Sequence, residues 1–203
     1  MPDYNRSAAV FWCCVVLLGG AALGWSLLDV AARPPSAWLQ IAATLALTVG
    51  AGLFPVRIPG TKNAFIAGEI FIFLTLLMHG PGAAAILAAG EAGVGALRTS
   101  SRWTSRLFSP ASAALAMVAS GALLHLALQA LGPGDWGRAA PLMAATMVFS
   151  ALYFFVNALM VFGVQRLKRR EAFFQLVDLI SVFRWVGMAY AGSAVVATLL
   201  YIT

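Results

Sequence analysis

Glu69 lies ten residues before His79, and Glu91 lies ten residues after Pro81, so a helical hairpin turning at Gly80-Pro81-Gly82 brings both carboxylates to one depth. Each sits in an apolar stretch. An ionised side chain in hydrocarbon costs several kcal/mol, so such residues are functional candidates by default. Arg184 enters the last apolar segment about one turn from its start, and Asn157 falls at the same end of the preceding one. Glu69, Glu91, Asn157 and Arg184 are therefore expected to share a buried polar layer in the cytoplasmic half of the bundle. Two close carboxylates can share a proton or coordinate a cation. A purely structural alternative has Arg98 and Arg184 neutralising them and locking the helices in register. In a further alternative, Glu69 reaches back to Lys62 at the interface.

His79, His125 and Gln129 fall near the opposite ends of their segments and could face a common outer ligand pocket, where histidine would respond to pH or ligand. Two histidines without a third ligand do not make a metal site. They also leave no Ser/His/Asp, Cys/His or His-Glu-x-x-His constellation, so no catalytic residue is expected. Gly90-Glu-Ala-Gly-Val-Gly95 lacks the preceding strand and the following Lys-Ser or Lys-Thr of a phosphate loop. Cys13 and Cys14 are adjacent in the first apolar run and form neither a metal-ligand nor a redox spacing. The sequence leaves any cofactor unknown.

The elements that must position these residues are membrane helices. Of 203 residues, 62% are hydrophobic and only 10% charged, with a mean hydropathy of +0.89, which excludes an ordinary soluble domain. Apolar runs recur along the whole chain, and a bilayer core of about 30 Å takes roughly 20 helical residues. The expected fold is an all-α polytopic bundle forming one domain over 1–203, with seven spans at about 7–30, 37–54, 64–79, 83–97, 109–131, 139–164 and 181–203. The third is short, a span or a re-entrant helix. The first is long for a signal peptide and reads as a retained span. Small residues at four-residue spacing, Gly20 and Gly24, Ala85 with Ala89 and Gly93, and Ser112 with Ala116 and Ser120, mark close helix packing or oligomer contacts.

The net charge of +6 describes topology and gives no sign of a nucleic-acid partner. Arg6, Arg57, Lys62, Arg98, Arg102, Arg106, Arg166, Lys168, Arg169 and Arg170 fall on one side, and only Arg33 and Arg138 on the other. The positive-inside rule puts the amino terminus in the cytoplasm. The chain stops in apolar sequence at Thr203, so a continuation is expected, in which an eighth span returns to the cytoplasm.

Phe54-Pro-Val-Arg-Ile-Pro-Gly60, Ala67-Gly-Glu-Ile-Phe-Ile-Phe-Leu74, Gly80-Pro-Gly-Ala-Ala-Ala85, Glu91 and the stretch from Arg98 to Trp103 resemble the amino-terminal membrane domain of bacterial cyclic-dinucleotide signalling proteins. There a multi-span sensor precedes cytoplasmic GGDEF, EAL or HD-GYP domains. The resemblance covers about residues 50 to 125 and implies a non-enzymatic sensory or regulatory domain of the bacterial inner membrane, with a fused or associated output domain or a homodimer partner. Size and Ala/Gly-rich helices are also similar to the substrate-binding subunit of energy-coupling-factor vitamin transporters, which implies capture of a small-molecule ligand instead.

Overall fold

The computed structural model describes residues 5–53, 56–57, 64–65, 68–131, 139–169 and 176–203. They form six helices: α1 (Arg6–Ala31), α2 (Pro35–Gly52), α3 (Glu69–Thr99), α4 (Trp103–Leu131), α5 (Ala139–Arg169) and α6 (Leu176–Ile202). Between α2 and α3, β1 (Val56–Arg57) pairs antiparallel with β2 (Ala64–Phe65), matching Val56 to Phe65 and Arg57 to Ala64. The all-α expectation holds apart from this two-rung ladder.

Local chemistry explains the boundaries. Asn5 caps α1, its Oδ1 accepting from the Ala8 amide at 2.8 Å, while its Nδ2 donates to the Leu167 carbonyl and ties the start of α1 to the end of α5. Pro34 and Pro35 end one helix and open the next, where a missing amide hydrogen costs nothing. Gly80 interrupts α3 at φ +74°, a left-handed conformation suited to glycine, and Pro81 restarts the helix.

Several expected boundaries move: α5 runs on to Arg169, past 164, and α6 begins at Leu176, before 181. The third segment begins at Glu69 and not at 64, because Ala64 and Phe65 pair in the ladder. The fifth begins at Trp103 and not at 109, because Pro110 lies within α4 without ending it. Lys62 and Arg138 lie outside the described residues.

Among the described residues four helices are long and apolar enough to cross a membrane: Arg6–Ala31, Glu69–Thr99, Trp103–Leu124 and Ala140–Lys168, with a shorter apolar helix at Gly187–Ile202. That is fewer than the seven expected spans. The physical reason lies partly in α3, which folds back at Gly80 into two arms, 69–79 and 81–99, of about 16 Å and 28 Å. The first arm alone is too short to cross.

The packing is that of helices in lipid. In α1 the buried residues are Ala8, Trp12, Val15, Gly19, Ala22 and Ser26, whereas Leu17 and Leu28 are each 73% exposed. Lipid tails are as apolar as leucine, so small residues that let backbones approach take the interior. A Cβ on Gly19 would run into the backbone of Ala111 on α4, whereas Gly20 and Gly24 meet nothing within 4 Å. The close-packing glycine of α1 is thus Gly19, one position from the expected Gly20/Gly24 pair. The main core gathers Ala83, Ala84, Ala85, Leu87 and Ala88 of the second arm with Ile72, Phe73, Met117 and Phe149. A smaller cluster joins Trp12, Val15, Phe108 and Val164 near the start of α1.

Candidate functional site: a carboxyl pair in a helical hairpin

Contacts along both arms of α3 show how they lie. At the turn, Gly82 abuts the Asp29 carboxylate of α1, and a Cβ on Gly121 of α4 would stand 2.6 Å from Pro81 Cβ. Farther down, Gly90 faces Leu45 and Val49 of α2, and Glu91 Oε1 fills the space that a Cβ on Gly68 would need. The residue before the first arm therefore touches the middle of the second. The arms are antiparallel, as the spacing around Gly80 predicts.

The depth of the pair follows from counting residues. Gly19 to Asp29 in α1, Ala111 to Gly121 in α4 and Pro81 to Glu91 in α3 each span ten residues, about 15 Å of helix. Asp29, Pro81, Gly82 and Gly121 meet at the turn, and Gly19 meets Ala111. The carboxyl pair is accordingly level with Gly19, close to the midpoint of α1.

Both carboxyls are more than nine-tenths buried, Glu69 at 8% exposure and Glu91 at 7%. Glu91 passes between two glycines: Gly68, and Gly52, whose added Cβ would lie 3.7 Å from Glu91 Cγ. The Tyr190 phenol of α6 donates a hydrogen bond to Glu69. Tyr153 of α5, 3% exposed, is close enough to both carboxyls to feel their charge. The tyrosine rings lie 5.8 Å apart by centroid, and Phe73 of the first arm contacts both, at 6.2 Å from Tyr153 and 6.0 Å from Tyr190. Neither tyrosine was among the candidates from sequence. Their signal was a hydroxyl within an apolar segment, which charge-based reading passes over.

Glu69 Oε2 and Glu91 Oε1 at this site, and Asn157 Oδ1 on α5, take no hydrogen bond from any described residue. Asn157 stands one helical turn beyond Tyr153 on α5. A buried acceptor without a donor forfeits its hydration, at a cost of about 1–3 kcal/mol or more when charged. A proton or a cation would relieve that cost. Among the described residues no cluster of three His, Cys, Asp or Glu side chains could hold a metal ion. The oxygens of two carboxyls suit a proton, or a hard cation bound by few protein ligands.

Arg98 does not neutralise the pair. Its guanidinium donates to the carbonyls of Leu53 at 2.7 Å and Gly52 at 3.3 Å, capping the end of α2. Among the described residues the ion pair present is Arg33 with Asp29, at 2.7 Å near the turn. The Arg184 side chain lies outside the described residues, though its backbone belongs to α6. His79 is half-buried at the end of the first arm, near Arg33. His125 and Gln129 sit four and eight positions beyond Gly121 on α4, with side chains outside the described residues.

Comparison with family models, curated proteins and solved structures finds no match to this chain.

Proposed function

We propose that the chain is a non-enzymatic sensory or regulatory domain of the bacterial inner membrane, and that the Glu69–Glu91 hairpin is its responsive element. One observation carries this reading: two buried carboxyls with unsatisfied oxygens lie on the arms of a glycine-hinged hairpin, and one is hydrogen-bonded to α6. Uptake or release of a proton or cation changes what Glu69 asks of Tyr190. The contact between the hairpin and the last helix is thereby strengthened or weakened, and the change travels along α6 to whatever follows it.

In this reading the basic end of the bundle faces the cytoplasm, with the amino terminus there. The two arms of α3 count as separate segments beside α1, α2, α4, α5 and α6, which makes seven. The signal comes from the membrane or the periplasm, and the output is a fused or associated cytoplasmic domain, as the resemblance to cyclic-dinucleotide signalling proteins implies.

The test is hydrogen exchange of α6 amides in lipid nanodiscs, compared between pH 5 and pH 8 and between sodium and potassium buffers. Wild-type protein should change protection near Tyr190 in at least one comparison. E69Q/E91Q should insert normally and show no such change. An α6 insensitive to both variables in the wild type, or an unaltered response in E69Q/E91Q, removes the pair from the mechanism.

A further inference from the structure

At the basic end of the bundle a cleft of about 170 Å³ opens between the start of α4 and the end of α5. Its polar wall carries Arg102 and Lys168, the hydroxyls of Ser105 and Ser109 and the amide of Gln165. Its floor is apolar, formed by Phe108, Val161 and Val164. Phe108 and Val164 are buried in the cluster that includes Trp12, and Trp12 binds the Thr104 carbonyl at 3.0 Å and meets Trp103 edge to face at 5.5 Å. Trp103, 55% exposed, presents its indole on the bundle surface beside the cleft, as an interfacial tryptophan does.

We infer that this cleft binds the phosphate headgroup of an anionic phospholipid. Two cations and two hydroxyl donors match a phosphodiester, which carries one negative charge and acceptor oxygens only. The apolar floor matches the glycerol and the first methylenes, which hydrated inorganic phosphate lacks. Basic pockets between helices on the positively charged side suit such headgroups, and each Lys or Arg near the surface adds about a factor of five in affinity. The site does not depend on the role of the carboxyl pair. A lipid wedged there would hold α4 against α5 where Asn5 also ties α1 to Leu167.

Native mass spectrometry of the full chain, released from detergent with dioleoyl phosphatidylglycerol or dioleoyl phosphatidylcholine, tests this. Wild-type protein should retain phosphatidylglycerol over phosphatidylcholine by about 5- to 30-fold. R102Q/K168Q should bring the two lipids level, R102K/K168R should keep most of the preference, and S105A/S109A should lower it several-fold with charge unchanged. Equal retention of both lipids by the wild type overturns the proposal, as does full preference in R102Q/K168Q. If R102Q/K168Q fails to fold, S105A/S109A decides, and an undiminished preference there rejects the site. Thermal stabilisation by millimolar inorganic phosphate equal to that by phosphatidylglycerol would assign the cleft to free phosphate and reject the lipid.

Discussion

Glu91 projects from the second arm of α3 into the space that a side chain on Gly68 would occupy, so a residue without a Cβ is what lets the carboxyl reach Glu69. That contact joins positions far apart in sequence and gives the hairpin its register. G68A should strain it and destabilise the protein by about 1–3 kcal/mol in reversible unfolding from mixed micelles. E91A should relieve the strain, so the G68A penalty shrinks in that background; an unchanged penalty would show that the two residues do not compete for space.

The α1–α4 seam offers a sharper contrast between neighbours. G19A drives a methyl group into the Ala111 backbone and should lose about 1–3 kcal/mol, whereas G20A meets open space and should stay within about 0.5 kcal/mol of wild type. Both changes are Gly to Ala in the same helix, so propensity cancels. Equal losses would argue against the seam.

Gly80 carries the fold-back in a left-handed conformation. With ψ near 180° this is a conformation open essentially to glycine alone, so G80A and G80N should each cost about 1–3 kcal/mol. Thermal unfolding of the two variants beside wild type checks this; a loss within about 0.5 kcal/mol in either would mean that the turn is not held in this geometry.

Tyr190 links α6 to the hairpin through its hydroxyl, while Tyr201, 47% exposed near the end of the same helix, serves as a control. Y190F should cost about 0.5–1.5 kcal/mol and Y201F close to nothing. A double-mutant cycle of Y190F with E69Q should show coupling of the same order. Additive losses would mean the hydroxyl does not answer to the carboxyl.

Arg98 acts as a cap to α2, not as a counter-ion to the glutamates. R98Q should loosen the last turn of α2, seen as faster amide exchange around 49–52, and leave the exchange response of α6 to pH and ions as in wild type. Loss of that response in R98Q would return Arg98 to the carboxyl layer.

Much of the fold is readable from the chain because membrane helices announce themselves through composition and their breaks through local chemistry. Pro34-Pro35 and Gly80-Pro81 fall where helices stop or fold back, and the equal eleven-residue spacing on either side of Gly80 places Glu69 and Glu91 together. The choice of interior residues is less legible. Gly19 and Gly20 are adjacent and identical, and only the side of α1 that faces α4 distinguishes them. Arg98 looks like a partner for a carboxylate by charge alone, yet the unpaired carbonyls at the end of α2 lie closer to hand.

The chain by itself determined that this is a helical membrane protein with a hairpin presenting two carboxyls at one depth, since hydropathy, glycine and proline act over a few residues. Tertiary structure alone decided that both carboxyls are buried level with the middle of α1, that Tyr153 and Tyr190 gather around them, and that Arg102 and Lys168 line one cleft. Those facts depend on the rotation of each helix about its own axis. In a bundle whose exterior is as apolar as its interior, hydrophobicity sets that rotation weakly, and close contacts such as Gly19 against Ala111 set it strongly.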